Sequence, residues 1–177
     1  RDAESKITKR TKAIMPVHYA GGVGDYASIL SFGERHSLRV VEDAAHAFGT
    51  NYGGKRIGSY PGSTVCFSFD GIKNITSGEG GCVLSSDHSV IQNVKDCRLL
   101  GVVNDSEKRY VKDRSWDFDV SEQGWRYHMS DIMAAIGRAQ LSRFDSLASK
   151  RQELAKRYDH FLEDEPAIST LCHDYEE

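Results

Sequence analysis

The sequence lacks an excess of charge of either sign. Its 23 basic and 26 acidic residues leave a net charge of −3, which excludes the broad basic footprint of a nucleic-acid binder and equally an acidic tail. Long hydrophobic runs are missing too: nothing approaches the roughly 18 consecutive apolar residues of a membrane span, and no charged-then-apolar leader opens the chain. Cysteine is sparse and unpaired in spacing, with Cys66, Cys82, Cys97 and Cys172 far apart and no CxxC. The first two fall in apolar, strand-like runs where a reduced thiol is the usual state, so a soluble protein of the reducing cytoplasm is expected. His18, His36, His88, His128, His160 and His173 are scattered without ligand spacing, so no metal site is expected. There is no internal repeat and no low-complexity segment.

What is present is ordinary globular material, 39% hydrophobic and 28% charged over 177 residues, enough for one domain or a little more. The chain opens on Arg1 and is expected to enter a strand within about ten residues, as a piece of something longer would. Residues 12–18 (KAIMPVH) read as a short buried strand, with Pro16 tolerable only where its missing donor falls at a strand end. Asp25 is a suitable N-cap for a helix to about His36, and Leu38–Val41 forms the next strand, delivering Glu42, Asp43, Ala44, Ala45 and His46 at its exit. A turn-rich excursion, residues 51–63 (NYGGKRIGSYPGS), precedes a β-branched and aromatic strand at 64–69. A fourth strand, 81–85, follows so closely that it must run antiparallel to the third. Asp87 caps a helix to about Leu100, and residues 101–124 form an ordered excursion with scattered aromatics. Ser130 begins a helix whose Ile132, Ala135, Ile136, Ala139 and Leu141 predict tight packing. A charged helix with an apolar stripe follows over 142–164.

The stretch FSFDGIKNITSGEGGCV (67–83) is strand, lysine, glycine bend, strand. Lys73 alone reads as a solvated loop lysine, and Asp43 alone as a helix cap. Together with His46 and Ser68 they stand where side chains of different strands converge at one sheet edge. A lysine amine adds to an aldehyde, an acidic group opposite a pyridine nitrogen supports pyridoxal phosphate as an electron sink, and a hydroxyl donates to phosphate.

The runs PVHYAG, VVEDAAHAFGTNYGGKRIGS, CFSFDGIKNITSGEGGCV and GWRYHMSDIMAAIGRAQL, in that order, resemble the DegT/DnrJ/EryC1/StrS family of pyridoxal-phosphate-dependent sugar aminotransferases. The resemblance implies an α/β fold of the aspartate aminotransferase-like type. Its mixed, mostly parallel sheet would be flanked by helices, with residues 1–124 in the large cofactor-binding domain and 125–177 forming connecting helices and the start of a small domain. It implies that Lys73 forms the Schiff base with pyridoxal 5′-phosphate and then shuttles a proton, that Asp43 pairs with the ring nitrogen, that His46 lies near the 3′ oxygen, and that Ser68 donates to the phosphate. It implies a homodimer that takes an amino group, commonly from glutamate, to a nucleotide-linked keto sugar. Related dehydratases carry histidine in place of this lysine, so Lys73 favours transamination.

The departures are as informative. Many members read GYNYRM where this chain has Gly124 to Met129, and the family's Asn reaches the neighbouring subunit's phosphate. Arg126 stands in its place, either serving the same phosphate with more charge or as a surface substitution. Asp70, Gly71 and Ile72 also replace commoner residues before the lysine. A phosphate-binding Gly-Thr or Gly-Ser segment and a ring-stacking aromatic, upstream in the family, are not found here, so the isolated chain is expected to retain cofactor weakly. Two other readings stand beside this one: a non-catalytic piece or regulatory paralogue keeping the fold and dimer surface, and a nucleotide-binding module. The latter is disfavoured because neither GxGxxG nor GxxxxGK[ST] occurs.

Overall fold

The computed structural model describes residues 2–103 and 119–169. A one-turn helix, α1 (Asp2–Ser5), precedes β1 (Ala13–Ile14), which pairs in parallel with β2 (Arg39–Asp43). The expected strand over 12–18 is broken at Pro16, which has no N–H to give. Pairing resumes at a parallel bridge between Val17 and Asp43, where Pro16 O accepts from Asp43 N–H and His18 N–H donates to Asp43 O. Between them α2 (Tyr26–Arg35) starts as the sequence predicts: Asp25 Oδ1 accepts from Ser28 N–H at 3.0 Å and satisfies one of the free donors of the first turn.

β5 (Ser63–Ser68) runs parallel to β2, with Val40 opposite Ser63 and Asp43 opposite Cys66, and β6 (Gly81–Ser85) is antiparallel to β5. The sheet order is β1-β2-β5-β6, the mixed, mostly parallel arrangement expected. Alternate residues of β5 are buried, so Val65 and Phe67 enter the core with Tyr26, Ala44, Ala47 and Ile57. Burying each such large apolar side chain is worth about 1.5–3 kcal/mol.

The excursion over 51–63 contains an element the sequence reading left out, a hairpin of β3 (Asn51–Tyr52) and β4 (Lys55–Arg56). Gly53 and Gly54 both have positive φ, 51° and 75°, which lets a two-residue turn close with the twist of the strands. α3 (His88–Cys97) begins at the Asp87 cap and ends before the expected Leu100, because Leu100 itself has φ 64° and turns the chain away. The ordered excursion expected over 101–124 is described only at its ends, where Val102 bridges Val120; Tyr110, Trp116 and Phe118 lie outside the described residues.

α4 (Asp131–Leu141) is capped by Ser130, whose Oγ accepts from Met133 N–H, and α5 (Phe144–Leu162) follows. The tight packing expected of α4 is not found: Ile132, Ile136 and Leu141 are exposed. On α5 the first turn is anchored through buried Phe144, while Leu154, Tyr158 and Phe161 are exposed. No helix among the described residues is long and apolar enough to cross a membrane.

Candidate active site

β2 and β5 are neighbours and parallel, so whatever follows them emerges at the same edge. Asp43 ends β2, His46 lies on the turn after it, Ser68 ends β5, and Lys73 stands on the loop leaving β5. The sheet thus puts Asp43, His46, Ser68 and Lys73 at or just past the C-terminal ends of two adjacent strands.

The lysine loop is shaped by its own polar groups. Ser68 Oγ accepts from Asp70 N–H at 3.3 Å, Asp70 Oδ1 accepts from Ile72 N–H at 3.2 Å, and Lys73 N–H donates to Asp70 O at 3.1 Å. Asp70, a departure from the commoner residues before the lysine, therefore has a local role as a turn-former. Lys73 is half-buried, and its amine has no hydrogen-bond or ion-pair partner among the described residues. Ser68 uses its oxygen as acceptor toward Asp70, which leaves the hydroxyl hydrogen available to an anion.

Half-buried Asp43 accepts from Ala45 N–H at 3.1 Å through Oδ1, while Oδ2 has no hydrogen-bond partner among the described residues. His46 Nδ1 accepts from Ala20 N–H at 3.3 Å. A backbone N–H cannot accept, so the neutral imidazole carries its proton on Nε2 and offers a donor there. Ala20 holds this geometry from a left-handed backbone, φ 53°, inside a short 3₁₀ turn at Tyr19–Gly21, and the Tyr19 ring meets the His46 ring edge-on at 5.6 Å. Arg126 is not drawn in with the others. It is exposed, and its backbone pairs with Leu99 beyond α3.

Beneath this edge lies a network the sequence reading did not assemble. Glu42, His18 and Tyr26 are essentially inaccessible, with His18 Nε2 2.7 Å from Glu42 Oε2 and Tyr26 OH donating to Glu42 Oε1 at 2.6 Å. Burial alone would raise the Glu42 carboxyl, but the hydrogen bonds from His18 and Tyr26 and the charge of His18 outweigh it and hold the group below the usual carboxylate range. Burial first, then the bond to Glu42, pushes the Tyr26 phenol well above its ordinary value. The signal was in the alternation of β2, which puts Glu42 on the same inward face as Val40. A carboxylate there requires buried partners. Cys66, opposite Asp43, has its thiol pushed up by burial and then by the Asp43 and Glu42 charges, so it is a poor nucleophile.

An amine, a carboxylate and two donors thus stand at or just past the ends of adjacent parallel strands of an α/β sheet. The chain belongs to the DegT/DnrJ/EryC1/StrS aminotransferase family, whose sequence profile matches residues 1–177. It is 43% identical over 169 residues to the uncharacterized protein MJ1066 of Methanocaldococcus jannaschii, a match covering 96% of this chain and 44% of that protein. Among solved structures it is similar to Helicobacter pylori PseC, an aminotransferase involved in the biosynthesis of pseudoaminic acid, at TM-score 0.82 and 33% identity over 92% of this chain and 42% of that one. It is also similar to the PLP-form of the putative sugar aminotransferase Spr1654 from Streptococcus pneumoniae, at TM-score 0.84 and 29% identity over 98% of this chain and 47% of that one. The chain thus spans a little under half the length of these relatives.

Proposed function

We propose that the protein is a pyridoxal-phosphate-dependent aminotransferase acting on a nucleotide-linked keto sugar, with glutamate as amino donor. The observation that carries this reading is the placement of Lys73 and Asp43 at the exits of adjacent parallel strands, the lysine amine and one carboxylate oxygen both without protein partners among the described residues. The residues fit the cofactor chemically: an amine for its aldehyde, an anion for its ring nitrogen, a hydroxyl with a spare hydrogen for its phosphate, and an Nε2–H donor for its phenolic oxygen.

When bound, the cofactor supplies the electron sink that makes a carbon-bound proton removable. Lys73 Nζ would hold it covalently and would serve as the group that carries the proton. Asp43 would be the acidic partner of the ring nitrogen and would favour its protonated form. His46, fixed by Ala20, would donate through Nε2 to an oxygen of the cofactor and help to orient it. Ser68 donates to phosphate. Arg126, exposed and apart from the other four, suits a phosphate contact supplied to a second copy in a homodimer. Residues 1–124 would then serve the cofactor domain and 125–177 the link to a smaller one, in a cytoplasmic enzyme.

Protein expressed from its complete gene and incubated with pyridoxal phosphate is expected to develop the absorption band of lysine-bound cofactor, and Lys73→Ala to abolish it. A wild type that stays colourless with cofactor added would overturn the enzyme reading in favour of a non-catalytic paralogue.

A further inference from the structure

We propose that Asn74 is a positioning residue: its side-chain amide ties the loop carrying Lys73 to the turn carrying His46, and so sets where the lysine amine stands relative to Asp43 and His46. Asn74 Nδ2 donates to His46 O at 3.1 Å and to Phe48 O at 3.4 Å. Both partners are carbonyl oxygens, which only accept, so the amide must present its nitrogen to them and both of its hydrogens are engaged.

The two segments need such a tie. Strand pairing between β2 and β5 ends with Ala44 N–H donating to Cys66 O, and past that point the 44–50 segment turns on itself, Ala47 N–H to Ala44 O and Thr50 N–H to Ala47 O. The lysine loop is likewise held by its own turn through Asp70. No sheet ladder among the described residues fixes the spacing of the two; the Phe48 ring packs edge-on against Phe67 and Phe69, and the Asn74 amide adds hydrogen bonds directly from the lysine loop to the turn. Asn74 is in turn held from behind, since Arg151 Nη1 on α5 donates to the Asn74 main-chain carbonyl at 2.8 Å. The Lys73 side chain has no partner of its own among the described residues, so its position is inherited from this backbone. Misplacing a reacting group by about 1 Å can cost on the order of 100-fold in rate.

This inference rests on Lys73 being the reactive amine, and its test separates the two ideas. Full-length wild type, Asn74→Ala, Asn74→Asp, Arg151→Ala and Arg56→Ala are compared. Arg56→Ala loosens α5 elsewhere, at the 2.8 Å pair of Arg56 with Asp145, and reports what mere destabilisation does. Amide hydrogen exchange without cofactor is expected to speed up about tenfold at Ala47 in Asn74→Ala and Asn74→Asp, and not in Arg56→Ala. Reductive trapping of pyridoxal phosphate with cyanoborohydride, read by mass spectrometry, gives the ratio of labelled Lys73 to labelled Lys95, an exposed reference lysine on α3. That ratio is expected to fall about tenfold in both Asn74 variants, less in Arg151→Ala, and to hold in Arg56→Ala. An unchanged ratio in a folded Asn74→Ala overturns the positioning role, whether or not exchange changes. Should that variant not fold, an unchanged exchange rate and ratio in Arg151→Ala overturn it instead. A wild type in which Lys73 is labelled no more than Lys95 overturns the proposed function, and the exchange comparison then still decides whether the tie exists.

Discussion

Glu42 and Asp43 are consecutive carboxylates of β2 that face opposite ways, and the sheet gives them opposite environments. Asp43 has one oxygen without a hydrogen-bond partner among the described residues, whereas Glu42 is fully enclosed with His18 and Tyr26 against it. Removing a hydrogen bond to a buried charged group costs about 1.5–3 kcal/mol, so Tyr26→Phe is expected to lower stability by that amount near neutral pH. The pH dependence follows from the direction of the Glu42 shift. Its folded value lies below the ordinary 4.5, so its contribution is present above that pH and fades as pH falls through the depressed folded value. Tyr26 acts at the other end: its raised value protects the fold below pH 10.0 and that contribution fades as pH rises beyond it. Denaturant titrations of wild type and Tyr26→Phe should therefore diverge at neutral pH and converge in acid. Equal losses at both would remove Glu42 as the partner that matters.

α5 shows how little of an element need be buried to fix it. Its Phe144 ring sits against Gly49 and meets Phe48 edge-on at 5.0 Å, while the Arg56–Asp145 pair beside it is exposed and worth at most about 1 kcal/mol. Gly49 has φ 88°, and a Cβ placed there would lie 2.2 Å from Phe144 Cζ. Gly49→Ala is expected to combine about 1–2 kcal/mol for the left-handed backbone with about 1–3 kcal/mol for overpacking. Gly54→Ala, at φ 75° with nothing within 4 Å, should show the first cost alone. Equal denaturation midpoints for the two variants would mean that the Phe144 ring steps aside freely.

Across the whole molecule the sheet serves as a frame that brings four chemistry-bearing residues from two strand exits to one edge, in a chain that spans less than half of its structural relatives. At that scale the proposed chemistry depends on charge as well as placement. Asparagine at position 43 preserves the shape of the aspartate but supplies no charge opposite a ring nitrogen. Asp43→Asn in the full-length protein is expected to leave Lys73 able to hold cofactor while slowing transamination by roughly 100-fold or more. Near-normal turnover in a stopped assay would remove Asp43 from its role.

The alternation of apolar residues, the caps at Asp25, Asp87 and Ser130, and the short link between β5 and β6 were enough to give α2 to α5, the strands β2, β5 and β6 and the antiparallel β5–β6 pairing, though not the β3–β4 hairpin, because each is a local rule of backbone sterics and hydrogen bonding. The candidate residues Asp43, His46, Ser68 and Lys73 were legible for the same reason, each standing at or just past a strand end. Arg126 was legible only as a departure from a motif. Partners were another matter. Periodicity marked an apolar face on α4 without saying that Ile132 and Ile136 would be exposed, since a period records which side is apolar and not what covers it. His18, Tyr26 and Glu42 come from a loop, a helix and a strand, and Asn74 meets His46 from 28 positions away. Contacts of that kind arise only when the sheet has set the register of β1, β2 and β5, which makes neighbours of residues that no sequence window contains together.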